Sequence, residues 1–123
     1  MNEVITKEMI IHCLEQSYDE FEMYITLVEK AEDEVRYETG HERQARRFRQ
    51  KARGKRNEAI KLVKVARKMA KEMGLNNYFE WMWIIELLEE MDGHDWNGYL
   101  IDDGLLMLSF YEHLKYFIKK EEV

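Results

Sequence analysis

The chain has 123 residues, room for a single domain, with 46% hydrophobic residues, 36% charged residues and a net charge of −6. That balance excludes a disordered chain, and no apolar run approaches the ~18 residues that a transmembrane helix needs. With no proline, six glycines and one cysteine (Cys13), it also excludes a turn-rich β architecture and an internal disulfide framework. The opening segment MNEVITKEMIIHCLEQ has neither a basic stretch nor a small-residue cleavage site, so no signal peptide is expected. Together with the lone cysteine this makes a cytoplasmic location the expectation.

The average charge hides a division. Residues 36–71 hold 14 Lys/Arg against three acids, a local +11, and the rest of the chain carries −17. Placement of this kind reports on partners more than on fold.

The first periodic segment, 6–38, opens with Thr6 as a cap. Leu14, Phe21, Val28 and Val35 recur every seven residues, with Ile11, Tyr18 and Ile25 between them, a sustained a/d seam. Gly40 stands where a helix-ending glycine belongs. The second segment, 41–73, repeats Ala45, Ala52, Ala59, Ala66 and Met73, with Phe48, Lys55, Leu62 and Met69 in the other frame. Small alanines let two axes approach closely, and Gly74 closes the segment. So short a turn between the seams predicts an antiparallel hairpin of an acidic and a basic arm. Gly54 inside the second arm costs ~1 kcal/mol relative to Ala and marks a candidate bend.

The third segment, 76–91, is apolar almost all round, with Asn76 or Asn77 as its cap. The stretch 92–104 holds three glycines and reads as a loop. Asp102 or Asp103 would cap the last helix, 103–121, which ends with Lys119 and Lys120, favourable at a C-terminus. The expected fold class is all-α: a long antiparallel helical hairpin plus two shorter C-terminal helices forming a bundle, one domain over 1–123.

The densest chemistry is the basic run. Arg43, Arg46, Arg47, Arg49, Lys51, Arg53, Lys55 and Arg56 place eight cations in fourteen positions. They point in several directions around a helix, so one neighbour cannot meet them all. Their functional reading is a surface for nucleic acid or a nucleoprotein. The competing reading pairs them internally with Glu29, Glu32, Asp33 and Glu34 across the hairpin, at ~0–1 kcal/mol each. An acidic protein partner is a third possibility. Phe48 is the only aromatic inside the run, so stacking on single strands is not suggested.

The other motifs are weaker. MAKEMGLNNYFEWMWIIE has the outline of a helix-turn-helix, but Glu80 falls on an apolar position and the recognition helix would be acidic and aromatic. Asp92, His94, Asp95, Asn97, Asp102 and Asp103 make an oxygen-rich loop without the EF-hand spacing, so no metal is expected. Glu38/His41, Glu29/Glu32 and Glu89/Asp92 have bare metal-ligand spacings. They leave a metal-dependent nucleotide pyrophosphohydrolase only as a remote alternative. Neither a nucleophile with its base nor a glycine-rich phosphate loop is present, and no cofactor is expected.

Ten of the 15 aromatics lie between Tyr78 and Phe117. Trp81, Trp83, Phe110, Tyr111 and Phe117 are candidate core and, where the apolar helices lack cover, candidate protein-interface residues in a homodimer or with a partner. The expected function is a non-enzymatic binding or regulatory protein, with the basic arm on nucleic acid or a nucleoprotein. The alternative is a protein-directed inhibitor or assembly adaptor, of a kind phage or mobile elements encode, using the aromatic helices.

Overall fold

A computed structural model describes residues 4–37 and 41–121. Four α-helices follow in chain order: α1 (Lys7–Tyr37), α2 (Glu42–Glu72), α3 (Phe79–Glu90) and α4 (Leu100–Lys120), with one 3-10 turn, Trp96–Gly98, before α4. Gly40 and Glu38 lie outside the described residues.

Each helix runs antiparallel to the next. Ser17 of α1 meets Ala59 of α2, and Glu32 meets Arg49. Arg67 and Lys64 of α2 meet Met82 and Glu89 of α3. Tyr78, just before α3, reaches Glu121 just after α4. Tyr111 and Gly104 of α4 meet Ser17 and Ile25 of α1. The result is an up-down-up-down bundle in which α1 touches α2 and α4, and α3 touches α2 and α4. The hairpin and the two shorter helices are as the periodicity predicts.

At 1.5 Å per residue the 31-residue α1 and α2 are ~46 Å long, α4 ~32 Å and α3 only ~18 Å. Among the described contacts, the C-terminal half reaches no further up the hairpin than Glu32 on α1 and Arg49 on α2. Past that level the two long helices continue with only each other for cover. Val35 is accordingly 41% exposed and not a seam residue.

The true α1 seam is Ile10, Leu14, Ser17, Phe21, Tyr24, Val28 and Ala31, all buried. One predicted frame, Leu14–Phe21–Val28, is right. The other lies one residue earlier than expected, at 10/17/24/31. Of the expected set Ile11 is buried in the core, while half-buried Tyr18 and Ile25 flank the seam on the α4 side, where Tyr18 meets Tyr111 at 5.4 Å between centroids. On α2 the alanine frame is buried as expected. Beside it Val63 and Ala70 are buried, with half-buried Arg49 and Arg56 in the same line, whereas the expected companions Phe48, Lys55, Leu62 and Met69 are all half-buried. Two arginines therefore stand in line with core residues.

α2 passes through Gly54 without a break. It ends in a Schellman arrangement: Gly74 has φ +72°, its N–H donates to the Lys71 carbonyl, and the Leu75 N–H donates to the Ala70 carbonyl. Trp81 then donates its ring N–H to the Leu75 carbonyl at 3.0 Å and fills the core. Neither asparagine caps α3, which starts after extended Tyr78. α4 starts three residues earlier than expected. The carboxylate at its start is Asp95, whose Oδ1 accepts from the Leu100 N–H at 2.8 Å, not Asp102 or Asp103. With α3 folded back along α2, the helix-turn-helix outline is not realised.

Candidate nucleic-acid interface

The basic run sits on a helix with one side against α1, another against α3 and a third toward water. At 100° per residue the buried alanines and Val63 define the core direction. Arg43, Arg46 and Arg47 fall on the opposite side, and Lys51 near its edge. The structure divides the eight predicted residues equally.

Four are engaged inside the molecule. Arg49 Nη2 lies 3.3 Å from Glu32 Oε1, and the same oxygen accepts the Asp95 N–H at 3.3 Å. Arg53 donates to the Asp92 carbonyl at 3.1 Å, and Arg56 donates to the Met91 carbonyl. Both carbonyls lie at the C-terminal end of α3, where the helix dipole favours cations. Lys55 lies 3.2 Å from Glu20 on the other flank. The three arginines tie α2 to the 91–95 loop and to Glu32, and Lys55 ties it to α1, so these four charges have partners within the molecule.

The loop they grip is closely fitted. Gly93 has φ +90°, and a Cβ there would stand 3.1 Å from the Arg49 carbonyl oxygen. Its N–H donates to the Tyr24 hydroxyl at 3.1 Å. Burial raises the Tyr24 hydroxyl pKa, with the Gly93 hydrogen bond acting against it. The loop acids are taken up by hydrogen bonds. Asp92 accepts from the His94 N–H and the Trp96 ring N–H, both at 3.1 Å. Burial opposes its ionisation, but these two bonds and the neighbouring His94 outweigh it and lower its pKa. Among the described residues no group of three or more His, Cys, Asp or Glu is placed to hold a metal ion. Glu32 pairs with Arg49, and Glu89 lies 3.7 Å from Lys64.

The other four, Arg43, Arg46, Arg47 and Lys51, are exposed and make no ion pair among the described residues. Of the acids expected to neutralise the run, Glu34 contacts His41 and Glu32 takes Arg49. Glu29 and Asp33 are exposed on α1.

Sequence reasoning missed the continuation of this face. Lys61, Lys64 and Lys68 follow Arg43 and Arg47 on the same side of α2, through Gln50, Gly54 and Asn57, and all three are exposed. The density of residues 43–56 masked them, although a ladder of three- and four-residue steps was there to be counted. Beside it, a groove of about 650 Å³ between α2 and α3 is lined by Lys64, Arg67, Lys68 and Lys71 over Met82 and Ile85, with Glu86 and Glu89 on its α3 side. The outward side of α2 thus carries two cationic zones, one at the projecting hairpin end and one near the C-terminal end.

The aromatic candidates also divide. Trp81 and Tyr111 are buried and cannot present their rings to a partner. The reason is their register: each points along its helix's core direction. Phe117 is half-buried, stacked on Tyr78 at 5.0 Å. Trp83 is exposed and lies 5.3 Å from Phe110, which is half-buried against the core.

No family model matches the chain, and no curated protein and no solved structure matches it.

Proposed function

We propose that this is a non-enzymatic binding protein whose outward α2 face docks on the phosphate backbone of a nucleic acid, free or within a nucleoprotein. The observation that carries the reading is the division of the basic run. Arg49, Arg53, Lys55 and Arg56 are used internally, while Arg43, Arg46, Arg47 and Lys51 stand exposed without ion-pair partners among the described residues. Unpaired like charges crowded on one helix face repel one another. A polyanion relieves that repulsion and releases its own counterions. Nothing on this face reads bases: it is a straight row of flexible cations without aromatic side chains, which suits phosphate contact and positioning over sequence recognition.

The test is a gel shift of duplex DNA and of RNA at low salt. Affinity falls steeply as salt rises, with a log–log slope of about −0.9 per phosphate neutralised on duplex DNA. The triple change Arg43→Gln, Arg46→Gln, Arg47→Gln reduces the slope by about three such units and leaves the melting temperature within about 1 °C, because these side chains hold nothing else in place. Absence of any shift with both nucleic acids at low salt refutes the reading. A second reading, attachment to a protein, is favoured by a separate observation, the exposed Trp83–Phe110 face.

A further inference from the structure

The α3–α4 side of the bundle leaves a row of aromatic surface uncovered. Phe79 is 74% exposed and stacks on Trp83 at 5.9 Å, and Trp83 in turn contacts Phe110. Leu106, 45% exposed, completes the row. Between the two helices lies a groove of about 410 Å³ lined by Trp83, Glu86, Leu87, Glu90, Leu106 and Phe110. Four of these six are apolar, two are acids and none is a cation.

The rest of α3 does not need an outside partner. Trp81, Ile84, Ile85 and Leu88 are buried by the bundle itself, as are five residues of α4. Single apolar side chains such as Met82, Ile101, Leu105 and Tyr116 are also exposed, but among the described residues of α3 and α4 this strip is where exposed aromatic rings stack on one another beside a groove. A single aromatic ring of this kind buries 150–250 Å² when covered, so the strip is a large reserve of binding energy.

The rim says which partner. Glu86 and Glu90 are four residues apart on one helix face, and neither makes an ion pair among the described residues, unlike Glu89, which has Lys64; on its far side Glu86 edges the α2–α3 groove that Lys64, Arg67, Lys68 and Lys71 line. Such a like-charge pair is mildly destabilising, and a cation seated between the two carboxylates relieves it. Two copies meeting groove to groove would bring Glu86 and Glu90 against their own equivalents, so charge disfavours the homodimer expected from the apolar composition. A partner with cations beside its apolar residues is attracted instead. On α3 the groove is lined from Trp83 to Glu90, ~12 Å at 1.5 Å per residue, which matches about two turns of a docked helix.

We propose that the α3–α4 groove docks a basic amphipathic helix of a protein partner. The partner's apolar residues cover Trp83, Leu106 and Phe110, and its Lys or Arg side chains meet Glu86 and Glu90. The proposal rests on the protein-partner reading of this face and is independent of the α2 face.

The probe is a synthetic Leu/Lys peptide with leucines at helical spacing, compared with its Leu/Glu counterpart, titrated into the full chain and followed by peptide anisotropy. The Leu/Lys peptide binds and the Leu/Glu peptide does not. Leu106→Asp weakens binding by about tenfold or more, and so does the charge reversal Glu86→Lys with Glu90→Lys. The remote reversal Glu8→Lys with Glu15→Lys leaves binding within about twofold, as expected for exposed charges beyond the Debye length. Melting curves confirm that each variant folds. Equal binding of both peptides, lost in Leu106→Asp, would keep the face as an interface and overturn the basic partner. No binding, or binding indifferent to Leu106→Asp, or equal loss from the remote reversal, would overturn the site itself. Sedimentation showing a dimer that Leu106→Asp converts to a monomer would give the groove to a second copy.

Discussion

Replacing Ser17 by Ala and Tyr111 by Phe, singly and together, tests the one side-chain hydrogen-bond chain buried between three helices. Ser17 Oγ lies 2.7 Å from the Ala59 carbonyl oxygen and 2.6 Å from the Tyr111 hydroxyl. A carbonyl only accepts, so Ser17 donates to Ala59 and its own lone pairs accept from Tyr111. The order of protons makes the two single changes unequal. Tyr111→Phe removes one bond and leaves Ser17 still donating to Ala59, a loss of about 1 kcal/mol. Ser17→Ala removes both bonds and leaves the Tyr111 hydroxyl, on a residue 2% exposed, without an acceptor. Loss of a bond plus an unsatisfied buried donor totals about 2–4 kcal/mol. The double variant then costs less than the two singles summed, by about 1 kcal/mol or more, since the orphaned hydroxyl is gone. Urea unfolding followed by the emission of buried Trp81 measures all four proteins. Ser17→Ala milder than Tyr111→Phe, or strictly additive costs, refutes the assigned proton order. The same hydroxyl gives a pH signature. Burial raises the Tyr111 pKa. Above pH ~10 the unfolded chain loses this proton while the folded chain keeps it, so stability falls as pH rises. Tyr111→Phe makes that fall shallower.

Two glycines give opposite outcomes in thermal melts. Gly93→Ala destabilises by about 1–3 kcal/mol, because its φ of +90° is strained for alanine and the Cβ meets the Arg49 backbone. Gly54→Ala stabilises by about 0.5–1 kcal/mol, because the position is helical and a Cβ meets nothing within 4 Å. Asp103 has its pKa raised by burial first and then by Asp102, Asp95 and Glu90. A raised folded pKa gives stability that is present below the unfolded value and lost as pH rises through the folded one. Asp103→Asn therefore raises the melting temperature at pH 7, and the difference from the parent chain disappears at about pH 3.

The heptads of 6–38 and 41–73, the closing Gly74 and the absence of proline sufficed to specify an all-α hairpin with two further helices. They do so because a 3.5-residue apolar repeat and a left-handed glycine are local properties. Frame was harder. Ile10/Ser17/Tyr24/Ala31 and Ile11/Tyr18/Ile25 differ by one residue, a 100° turn, and both contain apolar residues. Only the position of α4, which covers the second set from the side, makes the first the seam. Ser17 is polar yet sits in the seam because Tyr111, 94 residues away in the chain, supplies a partner there. The start of α4 shows the same limit: Asp102, Asp103 and Asp95 are equivalent as letters, and the loop path selects Asp95.

The basic run shows most clearly what sequence left open. Helical geometry states the angle of every arginine around α2. It does not state which angles α3 and its loop will occupy. Once the α3 end lies over Arg49, Arg53 and Arg56, their charges are used on Glu32 and on backbone carbonyls. Arg43, Arg46 and Arg47, on the side that no described helix covers, stay exposed to solvent. Exposure depends on contacts distant in the chain, and those contacts decide which cations of one run hold the fold together and which face outward.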